Sequence, residues 1–416
     1  MDKFVEIMEK RFVPIASKLG NQRHLVAIRD AFVVSMPLMI LGSFGTLINT
    51  LPINVYQEFM NNLFGAERWT AFGNAVSNGT FGILSLLTVA ALGYNLGRSY
   101  KQDGLMCAIV ATSAFFIFGG STGLNSKGLF VALICGILAT ELFVRLSGNQ
   151  KLVVKMPDGV PPAVGKAFEA LFPSMITLAL FGLVPLICAF MGVEDIVNSF
   201  YELVQKPFMG LSNNLFAAIV IPFAIQILWF FGLHGGNILA PFMETINTPA
   251  IDANIQALAD GQAAPYLINK PFMTAFVHLG GAGATIGLII AIILVGRKVK
   301  TMKTVTELSA PAAIFNINEP MIFGFPIVLN PILFIPYVFG PVILCVVAYL
   351  ATKLGMVPAA TFVVPWNIPP IIGGVLATKS WTGGVLALVN LFLSILIYLP
   401  FVKILVRQEL AKEQNI

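Results

Sequence analysis

Runs of about twenty apolar residues recur along this chain, at 31–51, 76–96, 104–121, 128–146, 171–191, 214–233, 272–296, 326–350 and 383–402. Each is close to the length an α-helix needs to cross the hydrocarbon of a bilayer. In lipid every backbone N–H and C=O must be paired inside the protein, so only helices and closed barrels span. Many of the chain's 37 glycines and 25 prolines fall inside the runs, irregularly and without sustained polar/apolar alternation, which argues for helices and against a barrel. A soluble reading is excluded by a charged fraction of 11%, against roughly 25% in soluble domains, and a mean hydropathy of +0.85. The expected fold class is an all-α integral membrane protein.

Charge orients the spans. Residues 1–30 are amphipathic and basic, with Phe4, Met8 and Phe12 on one side and Lys3, Lys10, Arg11, Lys18, Arg23 and Arg29 around the rest, so they belong on the cytoplasmic face. His24 is solvated among them. No short apolar core with a small-residue cleavage site precedes Ala31, so no cleavable signal peptide is expected. Arg98 and Lys101 follow the second span, and Arg145, Lys151, Lys155 and Lys166 the fourth, which puts both loops inside. Five crossings leave the chain outside near Val193. Residues 194–208 place apolar side chains at Ile196, Val197, Phe200, Tyr201 and Val204, the pattern of an interfacial helix dividing a first half, 1–193, from a second, 209–416. The span at 272–296 ends in R-K-V-K-T-M-K, the strongest inside signal, so one more crossing is required between His234 and Lys270, where Pro241, Pro249, Gly261 and Pro265 interrupt the sequence. By the same parity, 305–324 and 356–378 are re-entrant hairpins. The expected total is about ten crossings, two hairpins and both termini cytoplasmic.

The first hairpin carries S-A-P-A-A-I-F-N-I-N-E-P-M-I-F-G-F-P from Ser309 to Pro326, with a carboxylate, Glu319, amid apolar sequence. Pro320 lacks an N–H and biases Glu319 away from helical geometry, so a helix breaks here. Acids at membrane depth are costly and mark sites. Asn316 and Asn318 flank Glu319; His234 and Asn237 end the sixth span; His278 and Asn269 approach the seventh; Trp229 and Trp366 offer aromatic faces. Carboxylate, imidazole, amides and indoles with few fixed charges suit a neutral polyhydroxylated ligand. Plainer readings are a hydrogen-bonded acid at a helix break, a helix-end or helix-bridging histidine, and interfacial tryptophans.

Cys107, Cys135, Cys188 and Cys345 lack metal or redox spacing and read as packing residues. Gly373–Ser380 has threonine where a phosphate-binding loop needs its second glycine, and Gly283 with Gly287 reads as a helix-packing face rather than a dinucleotide fingerprint. No nucleotide site, metal, cofactor or nucleic-acid partner is expected. An ion-coupled carrier using Glu319 and His278 as a proton relay fits the same residues, and a passive channel would have no saturable site.

The segment I-F-N-I-N-E-P-M-I-F-G, Ile314 to Gly324, resembles the signature of enzyme IIC of the bacterial phosphoenolpyruvate-dependent sugar phosphotransferase system, in its lactose/cellobiose/diacetylchitobiose group. W-F-F-G-L-H-G-G-N, Trp229 to Asn237, resembles that group's second landmark. The resemblance implies uptake of a disaccharide, N,N'-diacetylchitobiose or cellobiose, whose 6-hydroxyl is phosphorylated by the phosphocysteine of a cytoplasmic IIB, with IIA, HPr and enzyme I upstream. The end at Ile416 favours a separate IIB. Catalytic roles then fall to Glu319 and His234, and sugar contacts to Trp229, Asn237, His278, Asn316, Asn318 and Trp366. The resemblance also implies location in the bacterial cytoplasmic membrane and a homodimer formed by the first half, with the second half carrying substrate. Basic loops around Lys151–Lys166 and Arg297–Lys303 are candidates for docking IIB, although orientation alone explains them.

Overall fold

In a computed structural model the described residues are 13–50, 54–65, 68–154, 156–157, 161–325 and 327–414, and among them every regular element is a helix. The amphipathic face expected from Phe4, Met8 and Phe12 lies outside the described residues. Among the described residues, six helices are long and apolar enough to cross a membrane: Arg23–Asn49, Thr70–Ser99, Ser126–Ser147, Leu171–Phe190, Pro331–Lys353 and Trp381–Ala411. They coincide with six of the expected spans. The helices Ile196–Asn213 and Leu215–Phe230 meet at 83° and make a seventh only if the bent pair is one span; the first arm contains a π-turn at Tyr201–Gln205. The 104–121 run forms Gly104–Gly119, whose 16 residues rise only about 24 Å.

The gap between His234 and Lys270 is filled by a 25-residue helix, Gly235–Ala259. Its hydropathy is modest because Asn247, Thr248, Asp252 and Asn254 are carried on it, and all four are buried. Composition cannot show direction, which is why no clean span stood out there. The run 272–296 differs from expectation. It is two helices, Lys270–Phe276 and Thr285–Val295, joined by a break at 277–284. Of the two hairpins, the first descends as Lys300–Ala313, turns at 314–318 and returns as Glu319–Gly324. The second reaches Pro370–Thr378 through a non-helical arm over 357–369.

The chain divides into two compact units. One comprises Asn21–Gly45 and Ala71–Phe208. Its core interleaves Val89, Ala111, Phe115, Ala132 and Cys135. Small residues bring these helices close: a Cβ at Gly93 would sit 2.9 Å from the Cys107 carbonyl oxygen, and one at Gly136 would sit 2.8 Å from Leu92. The other comprises the described parts of Met1–Gly20, Thr46–Thr70 and Met209–Ile416. Here Gly287 allows Thr285–Val295 to press on the last helix, since a Cβ would collide with Ser394 Oγ. The glycine is a packing residue, as its spacing suggested. Cys107, Cys135 and Cys345 are buried thiols and Cys188 is half-buried, all unpaired with one another.

Candidate functional site

Backbone that breaks at membrane depth must find its hydrogen-bond partners inside the protein. At the 277–284 break the second unit supplies them carbonyl by carbonyl. Phe276 O accepts from Asn390 Nδ2 at 2.8 Å, Gly280 O from Thr285 Oγ1 at 2.6 Å and Ala282 O from Asn318 Nδ2 at 2.6 Å. Gly283 O accepts from Tyr398 Oη at 2.6 Å and Ala284 O from Ser394 Oγ at 3.0 Å. The backbone itself requires glycine: φ is 76° at Gly280, 95° at Gly281 and 79° at Gly283. A Cβ at Gly281 would sit 2.5 Å from Asn318 Cγ, and one at Gly283 would collide with the Tyr337 ring.

The first hairpin docks onto this break through Asn316. Its φ of 59° is a left-handed conformation that asparagine tolerates better than most residues. Asn316 Oδ1 accepts from the Gly280 N–H at 2.8 Å, while Nδ2 donates to the carbonyls of Trp366 and Ile368, each at 2.9 Å. One amide thus ties together three non-helical segments: the hairpin tip, the glycine break and the second hairpin's extended arm. Asn316 is only 8% exposed and Asn318 only 3%. With its carbonyl and both amide hydrogens engaged by the chain, Asn316 builds the site rather than offering a free group to a ligand.

Glu319 is held differently. It opens the helix Glu319–Gly324, is exposed, and makes no hydrogen bond or ion pair among the described residues. Met321 and Ile322 on the same helix share a buried cluster with Trp229, and the Leu329 N–H donates to the Phe230 carbonyl at 3.0 Å. The two segments quoted as sequence landmarks therefore belong to one core.

Trp229, 4% exposed, lies against the ring of His234, with centroids 4.3 Å apart. His234 Nδ1 accepts the Asn237 N–H at 3.1 Å and caps Gly235–Ala259. A neutral imidazole whose Nδ1 accepts carries its proton on Nε2 and donates from there. His234 and Asn237 are exposed, as is Trp366 at 49%. His278 sits in the glycine break with Nε2 buried and without a hydrogen-bond partner among the described residues. It is an unanswered polar atom next to the segment that Asn316 grips.

Charges in the 234–270 gap escaped the sequence reading. Lys270 Nζ and Glu244 Oε1 pair at 2.5 Å, with side-chain exposures of 29% and 13%, and Thr248 Oγ1 lies 3.4 Å from the second carboxylate oxygen. Glu244 and Lys270 are the charges that a crossing expected in this stretch would have to neutralise, which is how the sequence could have pointed to them. Asn254, likewise unremarked, donates to the carbonyls of Tyr266 at 2.7 Å and Ala360 at 2.9 Å, fixing the base of the second hairpin.

Residues 29–341 match the family model described as phosphotransferase system, EIIC. The chain belongs to the phosphotransferase system EIIC family. This EIIC protein is 38% identical to the oligo-beta-mannoside-specific EIIC component of Bacillus subtilis over 99% of its own length and 96% of the relative's. It is 36% identical to the cellobiose-specific EIIC component of Geobacillus stearothermophilus over 100% and 97%. The structure superposes on that of ChbC, the IIC component of an N,N'-diacetylchitobiose-specific phosphotransferase system, with a TM-score of 0.93 at 35% identity, covering 98% of this chain and 99% of that one. The fold is that of an integral membrane transporter, and the EIIC protein is a membrane component of a phosphotransferase system.

Proposed function

We propose that this EIIC protein binds a disaccharide of the cellobiose or N,N'-diacetylchitobiose type, carries it across the cytoplasmic membrane and presents its 6-hydroxyl to the phosphocysteine of a separate IIB. The observation that carries the reading is Glu319, an exposed carboxylate that makes no hydrogen bond or ion pair among the described residues, beside a hairpin turn in which the Asn316 amide is fully engaged and Asn318 Nδ2 is bonded to the glycine break. Phosphoryl transfer asks the acceptor side for positioning and charge management. As the 6-hydroxyl oxygen bonds to phosphorus, the S–P bond to the IIB cysteine breaks and the cysteine leaves as thiolate, Glu319 takes the hydroxyl proton, and His234, donating from Nε2, orients the same region. Asn237 and His278 contact the sugar hydroxyls, and Trp366 lies along a sugar face. Trp229 keeps the His234 ring in place, while Asn316 and Asn318 hold the hairpin tip to the glycine break.

The wider arrangement follows the family pattern: about ten crossings, both termini cytoplasmic, a homodimer formed by the N-terminal half 1–193 and a substrate-carrying C-terminal half 209–416, with the helix 194–208 between them. IIA, HPr and enzyme I feed phosphate to IIB.

Inside-out vesicles holding the protein, given labelled cellobiose or diacetylchitobiose and phosphorylated IIB, test the reading. The labelled product is sugar phosphate, formed only when IIB is present. Accumulation of unmodified sugar driven by a pH gradient would instead identify an ion-coupled carrier.

A further inference from the structure

A cavity of about 700 Å³ lies between the helix Thr285–Val295 and the first hairpin arm, Lys300–Ala313, and the proposed sugar site does not use it. Its wall is aliphatic, formed by Ile292, Ile293 and, near the hairpin tip, Ile314. Its rim carries Arg297 and Lys303, with Glu307 beside them. Lys303 Nζ stands 3.8 Å from Glu307 Oε1, but both side chains are more than half exposed, so the pair is weak and leaves the rim net positive. Lys298 and Lys300, both exposed, flank it.

Thr306 also lines this cavity. A hydroxyl inside a helix ordinarily bonds back to the carbonyl four residues earlier, as Thr304 does to Lys300 at 3.1 Å. Thr306 is 2% exposed, and its hydroxyl has no hydrogen-bond partner among the described residues. A buried donor without an acceptor is costly unless something else provides one.

We infer that this cavity holds an anionic phospholipid. Arg297 and Lys303 take the phosphodiester, the Thr306 hydroxyl donates to an ester or phosphate oxygen, and an acyl chain runs along Ile293 and Ile314, the two isoleucines of the wall with accessible surface. Depth supports the assignment: Arg297 comes two residues after the apolar helix ends at Val295, where headgroups begin. A soluble phosphorylated partner would use the rim cations but leave the aliphatic wall and the buried hydroxyl unsatisfied. Because the acyl chain would lie against the arm Lys300–Ala313, which leads into the turn carrying Asn316, lipid occupancy supports the hairpin.

Native mass spectrometry of the full-length protein in detergent tests this, with added phosphatidylglycerol, phosphatidylcholine or glycerol phosphate. Phosphatidylglycerol should be retained at one molecule per chain and should raise the thermal midpoint, whereas phosphatidylcholine and the headgroup alone should not. The R297Q/K303Q variant should retain it roughly tenfold less or worse. T306V, which keeps the volume and removes the donor, should also lower retention while leaving the fold intact. Equal retention of both lipids, or unchanged retention in both variants, would reduce the cavity to an ordinary lipid-facing surface. Glycerol phosphate acting as well as the lipid would make it a phosphate site without an acyl subsite. A loss of phosphorylated IIB binding in R297Q/K303Q in lipid-free detergent, with phosphatidylglycerol retention unchanged, would assign the rim to protein docking instead.

Discussion

Only two residues separate Asn316, whose amide is consumed by the chain, from Glu319, whose carboxylate makes no hydrogen bond or ion pair among the described residues. Substitutions at the two should therefore fail in different ways. Asn316→Ala strands the buried Gly280 N–H and the carbonyls of Trp366 and Ile368, and gives the left-handed position to a residue that resists it. A loss of about 2–4 kcal/mol is expected, read as a lowered thermal midpoint with sugar binding lost alongside it. A midpoint unchanged from wild type would contradict that structural role. Glu319 could be picked from sequence because a charge in apolar surroundings is conspicuous in one dimension. The division of labour among its neighbours could not, because Asn316 and Asn318 have the same chemistry as ligand contacts and only their partners, 36 to 52 residues away, show otherwise. Glu244 and Lys270 were hidden for a related reason: 26 residues apart, they neutralise each other only in the folded chain.

At the scale of elements, the long apolar helices were legible because a bilayer imposes both length and composition. The break inside 272–296 was not, since its mean character is as apolar as that of a continuous span. Its signal was local, the run Gly280-Gly281-Ala282-Gly283, which places three glycines at positive φ. Gly283→Ala should cost about 2 kcal/mol or more, because a methyl would meet the Tyr337 ring on backbone already at φ 79°. The thermal midpoint checks it, and a neutral result would mean that the break relaxes freely. In the other unit, Asp103 caps Gly104–Gly119 by accepting the Leu105 and Met106 N–H groups at 3.0 and 3.2 Å. The Met106 N–H bond foremost, with Lys166 assisting, holds the Asp103 carboxyl below the usual carboxylate range. Its stabilisation is thus complete above the unfolded-chain value and is lost as pH falls through the lower folded one. Asp103→Ala should cost roughly 1 kcal/mol at neutral pH and flatten the acid side of the stability profile, which thermal melts from pH 7 down to the carboxylate range would show. A profile identical to wild type would remove the cap from the account.

For the whole molecule, the sequence exposed a chain of spans and two family motifs, while the grouping into two compact units depends on contacts between distant segments. The described parts of Thr46–Thr70, for example, lie early in the chain yet belong with those of Met209–Ile416. The proposed homodimer predicts a detergent-corrected mass by light scattering of twice the 44.8 kDa chain, and a single-chain mass would contradict it. The central claim is that the hairpin tip presents Glu319 to a sugar 6-hydroxyl awaiting phosphate from IIB. The most direct test compares wild type with Glu319→Gln in two assays on the same preparation: equilibrium binding of labelled disaccharide, and single-turnover phosphorylation by phosphorylated IIB. The account predicts a dissociation constant within about threefold of wild type and a phosphorylation rate lower by about 10²–10⁴. Equal losses in both assays, or an undiminished rate, would contradict it.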